Sequence, residues 1–504
     1  MISSNKFLKF IIFNIGSLFI ANSQTNYIEN SYSIPRVRII KEFENFIDSK
    51  PIYESIKIDS LYYNYSFNAH LVRNNGHSNI DNNAEIFSLG KNYRLISGRF
   101  SLINKWIIIE AEPFLLTHNN IFHPQSIEGN NTFRYTNNHT SNYEKKIKSK
   151  GFRQSLFALH YNGFGIGYGS MSHWWSPGFH SALALSSNAP SQESYIFGNF
   201  KNFKIKNLTF GFQALLMPYL NSKKDEIYFT GLRTNITYYS NPIISTGFNR
   251  TFLSGNFEDT FINDKSIDYW SKEDALKLII SPLFGQAKRG LSYSIPGTPG
   301  FDIWDELLSA YLKIIFPKEN LEIYVDLASD DSRGNFSDLK AHWDHTLAYQ
   351  LGLKKYYKKN KISYLIGIEY LTTRRSNTFN RLFYRADSNS PNYYLREIFD
   401  YFTYKNRRMG AHSGSSSEDM FFLFGIFYND LTYFFSYNKE IHGINSMEFP
   451  ELKNEFSITV NYKTENNQNF FITLENERIN NFTYRKNLIS DSGYIWIGYS
   501  YTLK

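Results

Sequence analysis

Short blocks in which apolar and polar residues alternate with a period of two recur along most of this chain, and they constrain the fold more than any other feature. They occupy residues 154–168, 208–217, 226–239, 308–316, 321–327, 363–371, 420–428, 431–437, 456–462, 469–475 and 493–503. Only an extended backbone sends successive side chains to opposite faces, so each block is a strand candidate. Polar or glycine-bearing turns separate the blocks, which predicts repeated antiparallel hairpins. No stretch reaches the ~18 apolar residues that signal a membrane-crossing helix. The best, Trp106 to Leu116, is broken by Glu110, Glu112 and Pro113.

The N-terminus reads as a secretory leader. Lys6 and Lys9 precede the apolar run Phe10 to Ile20, and Ala21, Asn22 and Ser23 follow as small or polar residues suited to cleavage. The run is too short to span a membrane and is interrupted by Asn14 and Gly16. Residues 1–23 are therefore expected to be a cleaved signal peptide. In residues 35–50 the apolar positions Val37, Ile40, Phe43 and Ile47 fall three or four apart among charged residues. That spacing predicts a short amphipathic helix, so residues 24–60 are assigned to an N-terminal periplasmic helical segment and residues 61–504 to the strand-rich body.

Two classes suit an exported chain of this kind: a soluble periplasmic or secreted β protein, or an outer-membrane barrel whose strands need only ~10 residues each. Composition decides between them. Phe numbers 45, Tyr 38 and Trp 7, an aromatic share of 18%, more than one ordinary core requires. Barrels use such residues in interfacial girdles. With no cysteine, neither a disulfide nor a thiolate metal site contributes. The fold class expected is all-β, a transmembrane antiparallel barrel in a Gram-negative outer membrane. The net charge of +8 suits an acidic polymer or lipopolysaccharide headgroups, and equally suits ordinary solvated loops. Long polar intervals at 117–150, 254–273, 329–343 and 374–418 are candidate functional loops.

The densest unusual stretch is HWWSPGFHSALALSSNAPS, His173 to Ser191, directly after a strand candidate. Here the chain resembles the Wzi-type capsule-assembly proteins, outer-membrane lectins related to surface polysaccharide. The matching positions are Trp174, Trp175, Pro177, Gly178, Leu185, Ser186, Asn188 and Ala189. Looser matches follow in order: GFNRTFLSG from Gly247, EIYVDLASDD from Glu322, GIEYLTT from Gly367 and TYKNRRMGAHSGS from Thr403. In the last, Tyr404, Arg407, Gly410 and Gly414 match while Asn406 stands where the family pattern has glycine. The resemblance covers most of the mature chain. It implies a barrel of about 18 strands with a periplasmic N-terminal helical segment, and a role in binding or organising capsular polysaccharide.

A sugar presents apolar C–H faces ringed by hydroxyls, so its site needs an aromatic platform flanked by amides, carboxylates and guanidiniums. Trp174, Trp175, Asn188, Tyr404, Arg407 and Glu369 supply those types, with Pro177, Gly178, Gly410 and Gly414 shaping the backbone. Each has a plainer reading. The tryptophans also suit packing inside the barrel or its girdle, Arg407 and Arg408 with Arg374 and Arg375 also suit pairing with loop acids, and Glu369 also suits a bracing network in the lumen. His412, Ser413, Ser415, Ser416, Ser417 and Asp419 are hydrolase residue types, yet a triad is recognised by geometry rather than composition. No nucleophile elbow, zinc-binding His spacing or phosphate loop is present. His342 and His345 with Asp344 are better read as a solvated loop than as metal ligands.

The expected protein is therefore not an enzyme, and it has no cofactor, no resident metal and no nucleic-acid partner. It sits in the outer membrane and binds capsular or exopolysaccharide to assist assembly or retention of that layer. Outer-membrane lipids, lipopolysaccharide and the barrel-assembly machinery are its expected partners. The alternative function is a diffusion channel for small solutes; a third reading is an outer-membrane hydrolase. The terminal segment, with Tyr494, Trp496, Gly498 and Ser500 alternating against Ile495, Ile497, Tyr499, Tyr501 and Leu503, resembles an outer-membrane closing strand.

Overall fold

The structure, a computed structural model, describes residues 61–77, 80–86, 92–118, 147–221, 224, 226–256, 292–293, 301–302, 304–330, 344, 347–374, 376, 393–394, 402–405 and 407–503. The leader, the helix predicted at 35–50, Arg375, Asn406, His342, His345 and most of the four long polar intervals lie outside those residues.

Eighteen strands form one closed antiparallel sheet. The first nine are β1 Tyr62–Asn74, β2 Asn92–Ile103, β3 Ile107–His118, β4 Ile147–Tyr161, β5 Phe164–Met171, β6 Gln192–Asn199, β7 Leu208–Leu220, β8 Glu226–Tyr238 and β9 Ile243–Asn256. The rest are β10 Trp304–Phe316, β11 Leu321–Asp330, β12 Leu347–Lys359, β13 Ile362–Thr372, β14 Glu418–Tyr428, β15 Leu431–His442, β16 Glu451–Lys463, β17 Gln468–Asn480 and β18 Ile489–Leu503. A three-residue piece, Phe203–Ile205, prolongs β6 along β7. β18 returns to β1, with Leu503 opposite Tyr65 and Tyr494 opposite Asn74. Closure leaves no sheet edge, so every strand finds its backbone partners inside the wall. The count agrees with the number expected from the resemblance. Among the described residues no helix is long and apolar enough to cross a membrane.

The alternation sorts side chains between two environments. On β14, Asp419, Phe421, Leu423 and Phe427 are buried inward, while Met420, Phe424 and Tyr428 are exposed outward. On β18, Ile495, Ile497 and Leu503 face out and Ser492, Tyr494 and Trp496 face in. An apolar exterior and a mixed, polar-rich interior is the inverse of a soluble β-sandwich and the pattern of a barrel in lipid.

The connections are asymmetric. Turns of two to four residues join β2 to β3, β4 to β5, β8 to β9, β10 to β11, β12 to β13, β14 to β15 and β16 to β17 at one end, where β1 also begins and β18 finishes. The β6-to-β7 connection, which holds the Phe203–Ile205 piece, lies at that end too, and the other connections leave the opposite end. Three of them carry described residues that turn back into the lumen: 77 with 80–86, 172–191, and 402–405 with 407–417. Together they form a plug. Trp175, Leu183, Leu185, Met409 and Ala411 from the plug pack with Leu156, Ile196, Leu215, Phe229 and Leu307 of the wall, so the hydrophobic core lies inside the barrel.

Two readings from sequence change. Residues 154–168 are two strands, β4 and β5, divided by Asn162 and Gly163 at φ +51° and +84°. An Asn-Gly pair with both residues in the left-handed region is the tight hairpin turn whose twist suits antiparallel strands. Several strands also run past their apolar blocks: β15 continues from Tyr437 to His442 and β16 begins at Glu451 rather than Phe456.

Candidate functional site

The segment after β5 enters the lumen and is held there residue by residue. Trp174 and Trp175 are 2% and 1% exposed. The Trp174 indole N–H donates to the Gly178 carbonyl at 2.9 Å, closing the Pro-Gly turn on itself. Trp175 lies against Gly231 of β8, where an added Cβ would stand 2.8 Å from the indole. Removing a ring so enclosed costs about 3–5 kcal/mol. Both tryptophans therefore serve packing, and neither offers a face to solvent.

Wall residues seize the turn that follows. Glu369 on β13 accepts the backbone N–H of Phe179 at 2.8 Å, of His180 at 3.2 Å and of Ser181 at 2.7 Å. It also takes the Tyr324 hydroxyl and the Gln350 amide. Gly178 has no room for a side chain, because a Cβ would fall 2.1 Å from the Gln350 amide nitrogen and 2.4 Å from the Ser181 carbonyl. Pro177 stands beside it at the head of the turn.

The plug's three segments then lock to one another. Arg407 donates from Nη2 to Asn188 Oδ1 at 2.9 Å and to the Ile80 carbonyl at 2.8 Å, and it pairs with Asp81 at 3.4 Å. Asn188 donates from Nδ2 to the Arg408 carbonyl at 2.9 Å, and Ala84 N–H reaches the Ser187 carbonyl at 2.7 Å. Gly410 is also obligatory, since a Cβ would meet the Tyr394 hydroxyl at 2.3 Å. Gly414, at φ +78°, gives its carbonyl to Thr373 Oγ1. Tyr404 packs edge-on to Tyr219 of β7 with ring centroids 5.5 Å apart. The structure thus brings Asn188 and Arg407 together, places Trp174, Trp175 and Glu369 around the same plug segment, and leaves Tyr404 on the opposite flank.

Between the plug and strands β14 to β18 lies a cavity of about 140 Å³. Phe179, His180, Phe421 and Tyr494 give it ring faces, and Asp81, Asn82, Asn83, Asn438, Glu455 and Glu475 give it amides and carboxylates. His180 stacks on Phe421 at 3.8 Å between centroids and an interplanar angle of 3°. Burial disfavours a charge on His412, but Glu440, Asp419 and Asp81 outweigh it and raise its pKa to about 9. Asp81 is driven the other way: burial opposes its ionisation, and Lys453, His412 and Arg407 hold it well below the usual carboxylate range. His412 faces Asp419 at 3.3 Å through Nε2 and Ser181 Oγ at 3.4 Å through Nδ1. Ser181 is wholly buried and does not line the cavity, so an acyl substrate has no approach to its hydroxyl.

Phe179, His180, Phe421, Tyr494, Asp81 and Asn82 were not singled out from sequence. Phe179 and His180 were within the densest motif, overshadowed by its tryptophans. Phe421 and Tyr494 looked like ordinary members of alternating strands, and nothing in sequence joins residue 81 to residue 412.

No protein-family model and no curated protein sequence matches the chain. Among solved structures it is similar to Wzi of Escherichia coli, described as an outer-membrane protein involved in group 1 capsule assembly and a carbohydrate-binding β-barrel. That match has a TM-score of 0.55 and 10% identity, covering 95% of this chain and 89% of the other. OccAB2 of Acinetobacter baumannii matches at a TM-score of 0.42 and 9% identity, over 88% of this chain and 98% of the other. OpdQ of Pseudomonas aeruginosa matches at 0.40 and 9%, over 88% and 97%. The first likeness shows the fold, a barrel resembling those of outer-membrane proteins, and the last two scores are too low to bear on function.

Proposed function

We propose that this protein is a non-enzymatic outer-membrane barrel that binds surface polysaccharide and helps to assemble or retain a capsule or exopolysaccharide layer. In this orientation the short turns face the periplasm, the long connections face outward, and lipopolysaccharide surrounds the apolar band. The barrel-assembly machinery would insert it after removal of the leader. The observation that carries the reading is the cavity beside the plug, where ring faces stand next to amides and carboxylates, the combination a sugar's C–H faces and hydroxyls require. The carbohydrate binding described for the Escherichia coli barrel supports it. Trp174, Trp175, Asn188, Tyr404, Arg407 and Glu369 would then act by holding the plug that forms one side of the cavity. A single modest site per barrel suffices, because many copies on one surface hold a long polymer by effective concentration.

The test is titration calorimetry of the detergent-folded protein with the surface polysaccharide of its own host, comparing wild type with Phe421→Ala plus Tyr494→Ala. Saturable binding that weakens about tenfold or more in the double variant, roughly 1.4 kcal/mol, is expected. If wild type shows no saturable binding while planar bilayers give steady open steps, the protein is a diffusion channel instead.

A further inference from the structure

We propose that His180, His412 and Asp419 form a binding site for a divalent transition-metal ion, zinc by preference, which staples the plug to the barrel wall. The three residues come from three places: His180 from the segment after β5, His412 from the segment before β14, and Asp419 from β14 itself. His180 Nε2 lies 3.4 Å from Asp419 Oδ2, and His412 Nε2 lies 3.3 Å from the same oxygen. All three ligand atoms fall within 4.8 Å of one another.

Those separations have a chemical meaning. A tetrahedral zinc ion with bonds of about 2.0–2.1 Å sets its ligand atoms about 3.3–3.4 Å apart along each edge. The two nitrogen-to-oxygen distances match that edge, and they are too long for the hydrogen bonds a histidine and a carboxylate would otherwise make. Indeed His180 Nε2, His412 Nε2 and both Asp419 oxygens are buried without a hydrogen-bond partner. Asp419 and His412 are only 1% and 2% exposed. Leaving such atoms unsatisfied is unfavourable unless something else fills the space between them.

Glu440 also approaches His412 Nε2, at 3.7 Å, and with Asp81 forms a second carboxylate pair around that imidazole, but both acids are held by cations. Glu440 is already taken by Lys453 at 2.9 Å, and Asp81 by Lys453 at 3.1 Å and Arg407 at 3.4 Å. Their negative charge nonetheless favours a dication nearby. His412 Nδ1 stands 2.9 Å from the Asn82 side-chain amide nitrogen and 3.4 Å from Ser181 Oγ. With the metal on Nε2 the proton sits on Nδ1, and Ser181 Oγ, or the Asn82 amide turned so that its otherwise unpartnered oxygen faces the ring, accepts that hydrogen bond. Both imidazoles line the cavity, so a water from it completes the fourth position.

The full chain, folded in detergent and stripped with EDTA, is titrated with zinc chloride by calorimetry. One saturable site per chain is expected, weakened at least a hundredfold in His180→Ala and in Asp419→Asn. His180 sits at the plug's edge and is the milder substitution for folding. X-ray absorption on the zinc-loaded wild type gives a second readout independent of any variant, with two imidazoles and one carboxylate oxygen in the first shell expected. Absence of saturable binding, binding equal in both variants and wild type, or a first shell without histidine would each overturn the proposal.

Discussion

Three consecutive backbone N–H groups, those of Phe179, His180 and Ser181, converge on one carboxylate, Glu369. The turn they belong to has no helix or ladder of its own, so a fixed anion is what satisfies them. Glu369→Gln keeps the shape but removes the charge and half the accepting capacity. It should weaken seating of the plug by about 2–3 kcal/mol. Hydrogen exchange of residues 172–191 reads this directly, and unchanged protection would remove Glu369 from the role. His173 supplies a pH dependence at the same scale. Burial, reinforced by Arg233, lowers its pKa from 6.5 to about 3. The released segment takes up a proton below pH 6.5 that the seated one refuses, so seating is strongest above that pH and weakens as pH falls toward 3. The loss amounts to about 2 kcal/mol by pH 5, and His173→Leu should make the protection factors of the segment, exchange rates corrected for their intrinsic pH dependence, nearly constant between pH 5 and 7. The residue types at this site were legible from sequence, but their exposure was not. Tryptophan, asparagine and arginine in one motif suit a sugar platform or a packed plug, and only the path of the segment into the lumen distinguishes the two.

Among the elements, the wall was the most legible part, because lipid imposes a strict two-residue period on its outward face. The signal fades where lipid ends. From Asn438 to His442, β15 has water or lumen on both sides, so its backbone stays paired while the apolar alternation stops. The turn inside residues 154–168 was also present in the sequence as a slip of phase: Phe157, Leu159 and Tyr161 face out at odd numbers, then Phe164, Ile166 and Tyr168 at even ones. A two-residue turn places its flanking residues on the same face and so produces such a slip. Closure between β18 and β1, by contrast, joins elements more than 400 residues apart and has no local signature. It predicts that Ala69→Cys with Tyr499→Cys, directly opposite in that register, forms a disulfide under mild oxidation. The chain has no other cysteine, so the bridge is read cleanly as altered mobility on a non-reducing gel. A cysteine pair displaced by one residue, Ala69→Cys with Gly498→Cys, points to opposite faces and should stay reduced; the reverse result would place the seam in another register.

At the scale of the molecule, an eighteen-stranded wall encloses far more space than its own side chains fill, and barrels of that size leave an aqueous channel unless something occupies it. Here three chain segments do, and their apolar side chains complete a core that the wall alone lacks. The plug and wall are therefore separable in principle: the wall's hydrogen bonds close on themselves, and the plug is added to a finished cylinder. Replacing residues 174–189 by a short glycine-serine connection should leave a folded, heat-modifiable barrel while removing the Trp175 cluster, the turn held by Glu369 and the partner of Arg407. In planar bilayers the wild-type protein should then pass little current and the replaced form should give large, steady steps. Cation preference is expected of those steps, because Asp419, Glu440 and Glu477 would line the opened lumen. Equal current from both forms would mean that the plug does not obstruct conduction, and the polysaccharide reading would lose its structural basis to the channel reading.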